Sequence, residues 1–125
     1  MASVKYTEEH EWIRLDGDVA TIGITNYAQE QLGDVVFVEV PQVGRTVSKG
    51  ESVAVVESVK AASDIFTPVS DEVIKANAAL TDSPGDVNAE PMGKGWFFKI
   101  RIADKAQLDG LMDEAAYNAF VKNLG

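Results

Sequence analysis

The side chain best placed for chemistry is Lys60. Val53-Ala54-Val55-Val56-Glu57 reads as an apolar strand arriving at a polar tip, Ser58-Val59-Lys60-Ala61, and Ala62-Ser63-Asp64-Ile65 leads back. A chain reversal at Ser58 to Ala61 projects Lys60 into solvent on a short, stiff support. A solvated ammonium is protonated and inert at neutral pH. It becomes useful when another enzyme acylates it, which removes the charge and adds a long flexible arm. Geometry alone describes an ordinary surface lysine, the usual fate of that residue type.

Other chemistries are poorly supplied. The 125 residues contain no cysteine, which removes disulfides, thiolate metal sites and cysteine nucleophiles. The single histidine, His10, argues against a histidine-based metal site or a Ser-His-Asp triad. A formal net charge of -9 opposes binding to nucleic acid and suits docking on basic protein surfaces, although it also serves simple solubility. No apolar run reaches membrane-spanning length. The first residues run straight into patterned sequence, so no signal or transit peptide is expected. The expected location is a bacterial cytoplasm, or a mitochondrial matrix if a transit segment was removed.

The elements that must position Lys60 are mostly strands. Residues 12–15 and 19–24 flank Asp16-Gly17-Asp18 and predict a hairpin. Residues 26–32 predict a short helix capped by Asn26, with Gln29 three residues on and Gly33 as the stop. Residues 34–40 are β-branched and close at Pro41. Val47-Ser48-Lys49-Gly50-Glu51-Ser52-Val53 is faintly echoed by Val69-Ser70-Asp71-Glu72-Val73, suggesting two related halves about Lys60. Residues 81–86 read as a loop. Residues 96–102 read as a strand with Phe98, Ile100 and Ile102 on one face, and Trp96, Phe97 and Phe98 as core. Tyr117, Phe120, Val121 and Leu124 share a helical face behind Asp113 and Glu114, and Gly110 separates this helix from a shorter one starting near Asp104. The expectation is one mostly-β domain over residues 1–125, closed by a C-terminal helix.

The string Glu57-Ser58-Val59-Lys60-Ala61, followed by Asp64-Ile65 and Pro68-Val69-Ser70, resembles the lipoylation site of the glycine cleavage H family. The resemblance extends upstream through Tyr6, His10-Glu11-Trp12-Ile13, Ala20-Thr21-Ile22-Gly23-Ile24-Thr25 and Leu32-Gly33-Asp34-Val35-Val36-Phe37-Val38. Downstream it takes in Leu80, Pro84, Asn88 and Gly95-Trp96. It implies a barrel-sandwich hybrid, as in lipoyl and biotinyl domains, with added N-terminal strands and the C-terminal helix. It also implies a non-catalytic carrier whose cofactor is lipoic acid, held covalently as lipoyl-lysine. Such a carrier takes an aminomethyl group from glycine decarboxylase to the tetrahydrofolate-dependent aminomethyltransferase, and its reduced arm is reoxidised by dihydrolipoamide dehydrogenase. A lipoate ligase or lipoyl transferase installs the arm. A monomer is expected, because a mobile arm visits several partners in turn.

Carried over residue by residue, Lys60 is the attachment site. Glu57 and Asp64, with Ser58, Val59 and Ala61, are recognition points for the lipoylating enzyme or partners; ordinary turn solvation explains the two carboxylates equally well. Glu11 falls near a cleft that shelters the loaded arm, where a carboxylate would hold the positive nitrogen. Asn26 and Tyr27 fall beside the same cleft. Asp71 departs from the family's usual glycine at a position eased by positive φ, and a local adjustment is expected. A lipoyl domain of a 2-oxo acid dehydrogenase or a biotin carrier would be shorter and would place aspartate or methionine, not Val59, before the lysine. A lipoyl donor relaying its group to other enzymes would keep the same Lys60 chemistry.

Overall fold

The computed structural model describes residues 3–102 and 105–124. Strands β1 (Ser3–Tyr6), β2 (Glu11–Asp16) and β3 (Val19–Ile24) form an antiparallel meander. The β2–β3 turn falls where Gly17 supplies φ +63°. Helix α1 (Asn26–Leu32) follows, then β4 (Val35–Glu39), β5 (Thr46–Val47), β6 (Ser52–Ser58), β7 (Ala62–Phe66) and β8 (Asp71–Ala76). After the one-turn helices α2 (Ala79–Asp82) and α3 (Asp86–Ala89), strand β9 (Phe98–Arg101) completes the sheets. A 3-10 turn at Lys105–Leu108 leads to helix α4 (Glu114–Leu124).

The strands make two antiparallel sheets, ordered β1-β2-β3-β9-β8-β5 and β4-β6-β7. Their inner residues alternate with outward ones and meet in one cluster. Ile13, Ile22, Phe98, Ile100 and Val73 come from the larger sheet and Val38, Val56 and Ile65 from the smaller, each 3% exposed or less. This burial is what joins the sheets, since apolar area removed from water contributes roughly 25 cal/mol per Å². A satellite cluster of Tyr6, Trp12 and Tyr117 seats α4 against β1, with Phe120 and Val121 packed on it. The two echoing segments lie side by side in opposite directions, Thr46↔Glu72 and Val47↔Asp71. Gly50 N–H and Thr67 N–H extend that pairing to Thr67 O and Glu51 O.

Several local expectations are corrected. Thr25, not Asn26, caps α1: its Oγ1 accepts from Ala28 N at 3.2 Å, which frees Asn26 Oδ1 to accept from Gln29 Nε2. The 81–86 stretch is not all loop. It joins α2 and α3, whose Leu80 and Val87 are fully buried anchors. Trp96 is half-buried and lies outside β9, with the Lys99 ammonium 5.2 Å from its ring centre. Leu124 is 48% exposed, so the apolar face of α4 ends before it. Asp104 lies outside the described residues. Asp71 does hold a positive φ of 136°, the conformation that favours glycine, and its Oδ1 accepts from the next amide, Glu72 N.

Candidate functional site

The reversal between β6 and β7 falls at Ser58 to Ala61. Ser58 N–H donates to Ala61 O at 2.8 Å, and Ser58 Oγ accepts from both Lys60 N and Ala61 N at 3.1 Å. A serine at the first position of a turn ties the following amides to its own side chain, so most of the tip's hydrogen bonds are local. One long-range bond anchors it: Val59 N–H donates to Asp34 O at 3.1 Å. Val59, Lys60 and Ala61 are exposed.

The Lys60 side chain does not stand free along its whole length. It lies over Gly33, where an added Cβ would come within 3.1 Å of Lys60 Cε and 3.7 Å of Nζ. Gly33 also ends α1 with φ +79°, so glycine serves both the helix stop and the lysine stem. Asn88 fixes this junction from behind. Its Nδ2 donates to Gly33 O and to Gln29 Oε1, and its Oδ1 accepts from Val35 N, all within 2.9 Å.

Beside the turn, α1 and the β6–β7 hairpin form the walls of a cleft of about 220 Å³. Tyr27, Ala28, Gln31 and Leu32 come from the helix; Val56, Ser63, Asp64 and Ile65 come from the hairpin. Ile24, His10 and Glu11 also line it. Glu11 is only 2% exposed. Its Oε2 accepts from Phe66 N at 2.8 Å and its Oε1 from Thr7 Oγ1 at 3.3 Å. Burial pushes its carboxyl up to about 7, against those two hydrogen bonds and with the nearby Glu9 charge adding to the rise. A cation entering the cleft would find a carboxylate there with no competing cationic partner among the described ion pairs.

His10 holds the strand that delivers Glu11. Its φ is +69° and its Nδ1 shares a 2.8 Å hydrogen bond with the Tyr117 hydroxyl. Tyr117 Oη is also 2.7 Å from Thr25 Oγ1, which caps α1. Burial lowers the His10 pKa, and the nearby Glu9 charge opposes that shift. Helix α4 thereby braces both the His10 corner and the helical wall. His10, Gln31, Leu32, Val56 and Ser63 are cleft residues that sequence reasoning did not place there. The i, i+3, i+4 spacing of Ala28, Gln31 and Leu32 was the available signal for the helical wall.

Of the residues expected near this cleft, Glu11 and Tyr27 line it, and so does Asp64, which was expected as a recognition point instead. Asn26 does not; it faces a neighbouring groove with Glu30, Tyr117 and Asn118. Tyr27 packs its ring 4.5 Å from that of His10. Glu57 is half-buried on β6, opposite Phe37 on one side and Ala62 on the other. Among the described residues no group of three or more histidine, aspartate or glutamate side chains is placed to hold a metal. No described helix is long and apolar enough to cross a membrane.

A family model, Glycine cleavage H-protein, matches residues 4–124. The chain belongs to that family. A glycine cleavage system H protein of Phenylobacterium zucineum is 66% identical over 120 residues, covering 96% of this chain and 99% of its own. That of Parvibaculum lavamentivorans is 59% identical over 124 residues, covering 99% of each. The crystal structure of a glycine cleavage system H protein from Mycobacterium marinum superposes with a TM-score of 0.87 at 36% identity, covering 96% of this chain and 97% of the other. The two sheets are therefore the barrel-sandwich hybrid that the sequence resemblance implied. As an H protein the chain is a carrier subunit of the glycine cleavage system.

Proposed function

We propose that this H protein carries lipoic acid in amide linkage on Lys60. In this reading it takes an aminomethyl group from glycine decarboxylase to the tetrahydrofolate-dependent aminomethyltransferase, and reducing equivalents to dihydrolipoamide dehydrogenase. The observation that carries the reading is the adjacency of two features: an exposed lysine on a self-braced turn, and a cleft lined by one buried carboxylate. The residues present suit the group. Ile24, Leu32, Val56 and Ile65 offer apolar walls to a hydrocarbon arm, and Glu11 offers charge to an amine. The bound group supplies a reversible disulfide and a thiol that accepts the one-carbon unit.

The chain's own residues bind, orient and exclude water. Lys60 fixes where the arm begins, and Gly33 leaves room for its stem. Glu11 sits near half ionisation at neutral pH, so an ammonium guest draws it to the carboxylate form and is held by a charge-assisted bond away from solvent. Phe66 N–H and Thr7 Oγ1 orient that carboxylate. The rest of the reading is one carrier unit over residues 1–125, monomeric and working in a bacterial cytoplasm.

The test is glycine-dependent bicarbonate exchange with the decarboxylase partner, using the lipoylated protein. Activity that disappears in Lys60→Arg is expected. Equal exchange by wild type and Lys60→Arg would refute the carrier assignment.

A further inference from the structure

Beside the Lys60 turn the small sheet exposes apolar side chains where its register breaks. In β4 the pairing with β6 shifts between Val35 and Phe37, so that Val35↔Ser58 is followed by Phe37↔Glu57. The bulge interrupts the in–out alternation: Val35 and Val38 are buried, whereas Val36 and Phe37 are 55% and 44% exposed. Val59, in the turn itself, is 68% exposed and hydrogen-bonded to Asp34 at the head of β4. Three large apolar side chains therefore sit at the end of the sheet that bears the lysine. Around them stand Glu39 and Glu57, and Lys60 is the sole cation in the sequence of β4, β6, β7 and the turn.

We propose that Val36, Phe37 and Val59, with Glu39 and Glu57 beside them, are the docking surface for the enzyme that acylates Lys60. This rests on Lys60 being the attachment site. The occupant follows from reach. Partners that use the finished arm act on its far end, in the cleft or beyond it, and not on Nζ. The acylating enzyme has to bring an activated acyl carbon to Nζ itself, and Nζ lies low over Gly33. With an acyl adenylate as donor, the deprotonated amine attacks the acyl carbon, the C–N bond forms, and the C–O bond to the phosphate breaks. AMP leaves with the electron pair, and the second amine proton goes to solvent. Such an approach covers the turn and the adjoining end of β4. The fitting partner face is an apolar depression for Phe37 and Val59, rimmed by lysine or arginine that pairs with the two glutamates. Apolar anchors at an interface centre dominate affinity, while rim charges mainly set encounter rate and its salt dependence.

The experiment follows acylation of the unlipoylated full chain by lipoate ligase with ATP and lipoate, reading KM for the carrier separately from kcat. Phe37→Thr and Val59→Thr place a β-branched residue suited to extended backbone at each position and remove the apolar anchors. Each is expected to raise KM by about tenfold or more with kcat near the wild-type value. Val43→Thr, equally exposed but away from the turn, serves as control with unchanged KM. Glu39→Gln with Glu57→Gln is expected to slow association chiefly at low salt. Wild-type KM in both Phe37→Thr and Val59→Thr overturns the surface. Acylation of Lys60→Arg to the wild-type extent overturns the attachment site instead, so the two failures are distinguishable. Matching circular dichroism spectra establish that a raised KM reflects docking; a loss confined to kcat counts against the proposal.

Discussion

The Lys60 turn and the Glu11 cleft are neighbours built on opposite principles. The turn is held by its own four residues, with Ser58 Oγ serving two amides, and its key side chain is solvated. The cleft is assembled from residues 9–11, 24–32, 56 and 63–65, and its key side chain is buried against its own ionisation. A group meant to be modified by another enzyme must be accessible and needs little from the fold. A group meant to hold charge away from water needs the whole fold and pays for it in stability.

The largest expected consequence lies in the cleft. Because the folded pKa of Glu11 is raised to about 7 from an ordinary 4.5, the native state retains a proton that the unfolded state releases. That stabilising contribution is complete below about pH 4.5 and is lost as the pH rises through 7. Glu11→Gln lacks the titration: its carbonyl can accept from Phe66 N and its amide donate to Thr7 Oγ1. Across pH 4.5 to 8 the variant should gain about 3 kcal/mol on the wild type, seen in urea melts at several pH values. A constant difference would show that Glu11 is not buried against its charge. The same variant should lose retention of a cationic amine on the loaded arm.

A second substitution tests how separable the two regions are. Asn88 grips Gly33, Val35 and Gln29 at once, and that junction supports both the helical wall and the Asp34–Val59 bond. Asn88→Ala should cost about 2 kcal/mol, since it strips partners from a half-buried junction, and should also loosen the turn. Amide exchange at Val59 is the readout; protection unchanged from wild type would mean that the turn is independent of its backing.

Smaller effects belong to the turn. Ser58→Ala should cost about 0.5 to 1 kcal/mol, because the amides it leaves are solvent-accessible. Thermal melts check this, and a loss near that of Asn88→Ala would erase the contrast between a local and a composite site. Asp71→Gly should be stabilising by about 1 kcal/mol, relieving a φ of 136°.

The same contrast explains what the sequence disclosed. Lys60, its flanking residues, the β2–β3 hairpin and the Gly33 stop all depend on neighbours in the chain, and local patterns specify them. The burial of Glu11 does not. Nothing in Thr7-Glu8-Glu9-His10-Glu11 says which carboxylate is inside, because the enclosing residues come from α1 and β7. The family resemblance put Asn26 beside the arm together with Tyr27, yet adjacent helical positions point about 100° apart and Asn26 faces the other groove. The one-turn helices around Pro84-Gly85 were hidden by turn-forming residues, and only their buried anchors, Leu80 and Val87, give them a reason to form. The Val36–Phe37 bulge is equally silent, since a run of β-branched and aromatic residues reads as an unbroken strand.

The central claim is the chemical identity of Lys60, and peptide mapping after acylation tests it most directly. The full chain is incubated with lipoate ligase, lipoate and ATP, its intact mass is measured, and its peptides are sequenced by fragmentation. One lipoyl group per chain on Lys60, with Lys5, Lys49, Lys75, Lys94, Lys99, Lys105 and Lys122 unmodified, is the predicted result. Modification spread over several lysines, or confined to one other than Lys60, would contradict it.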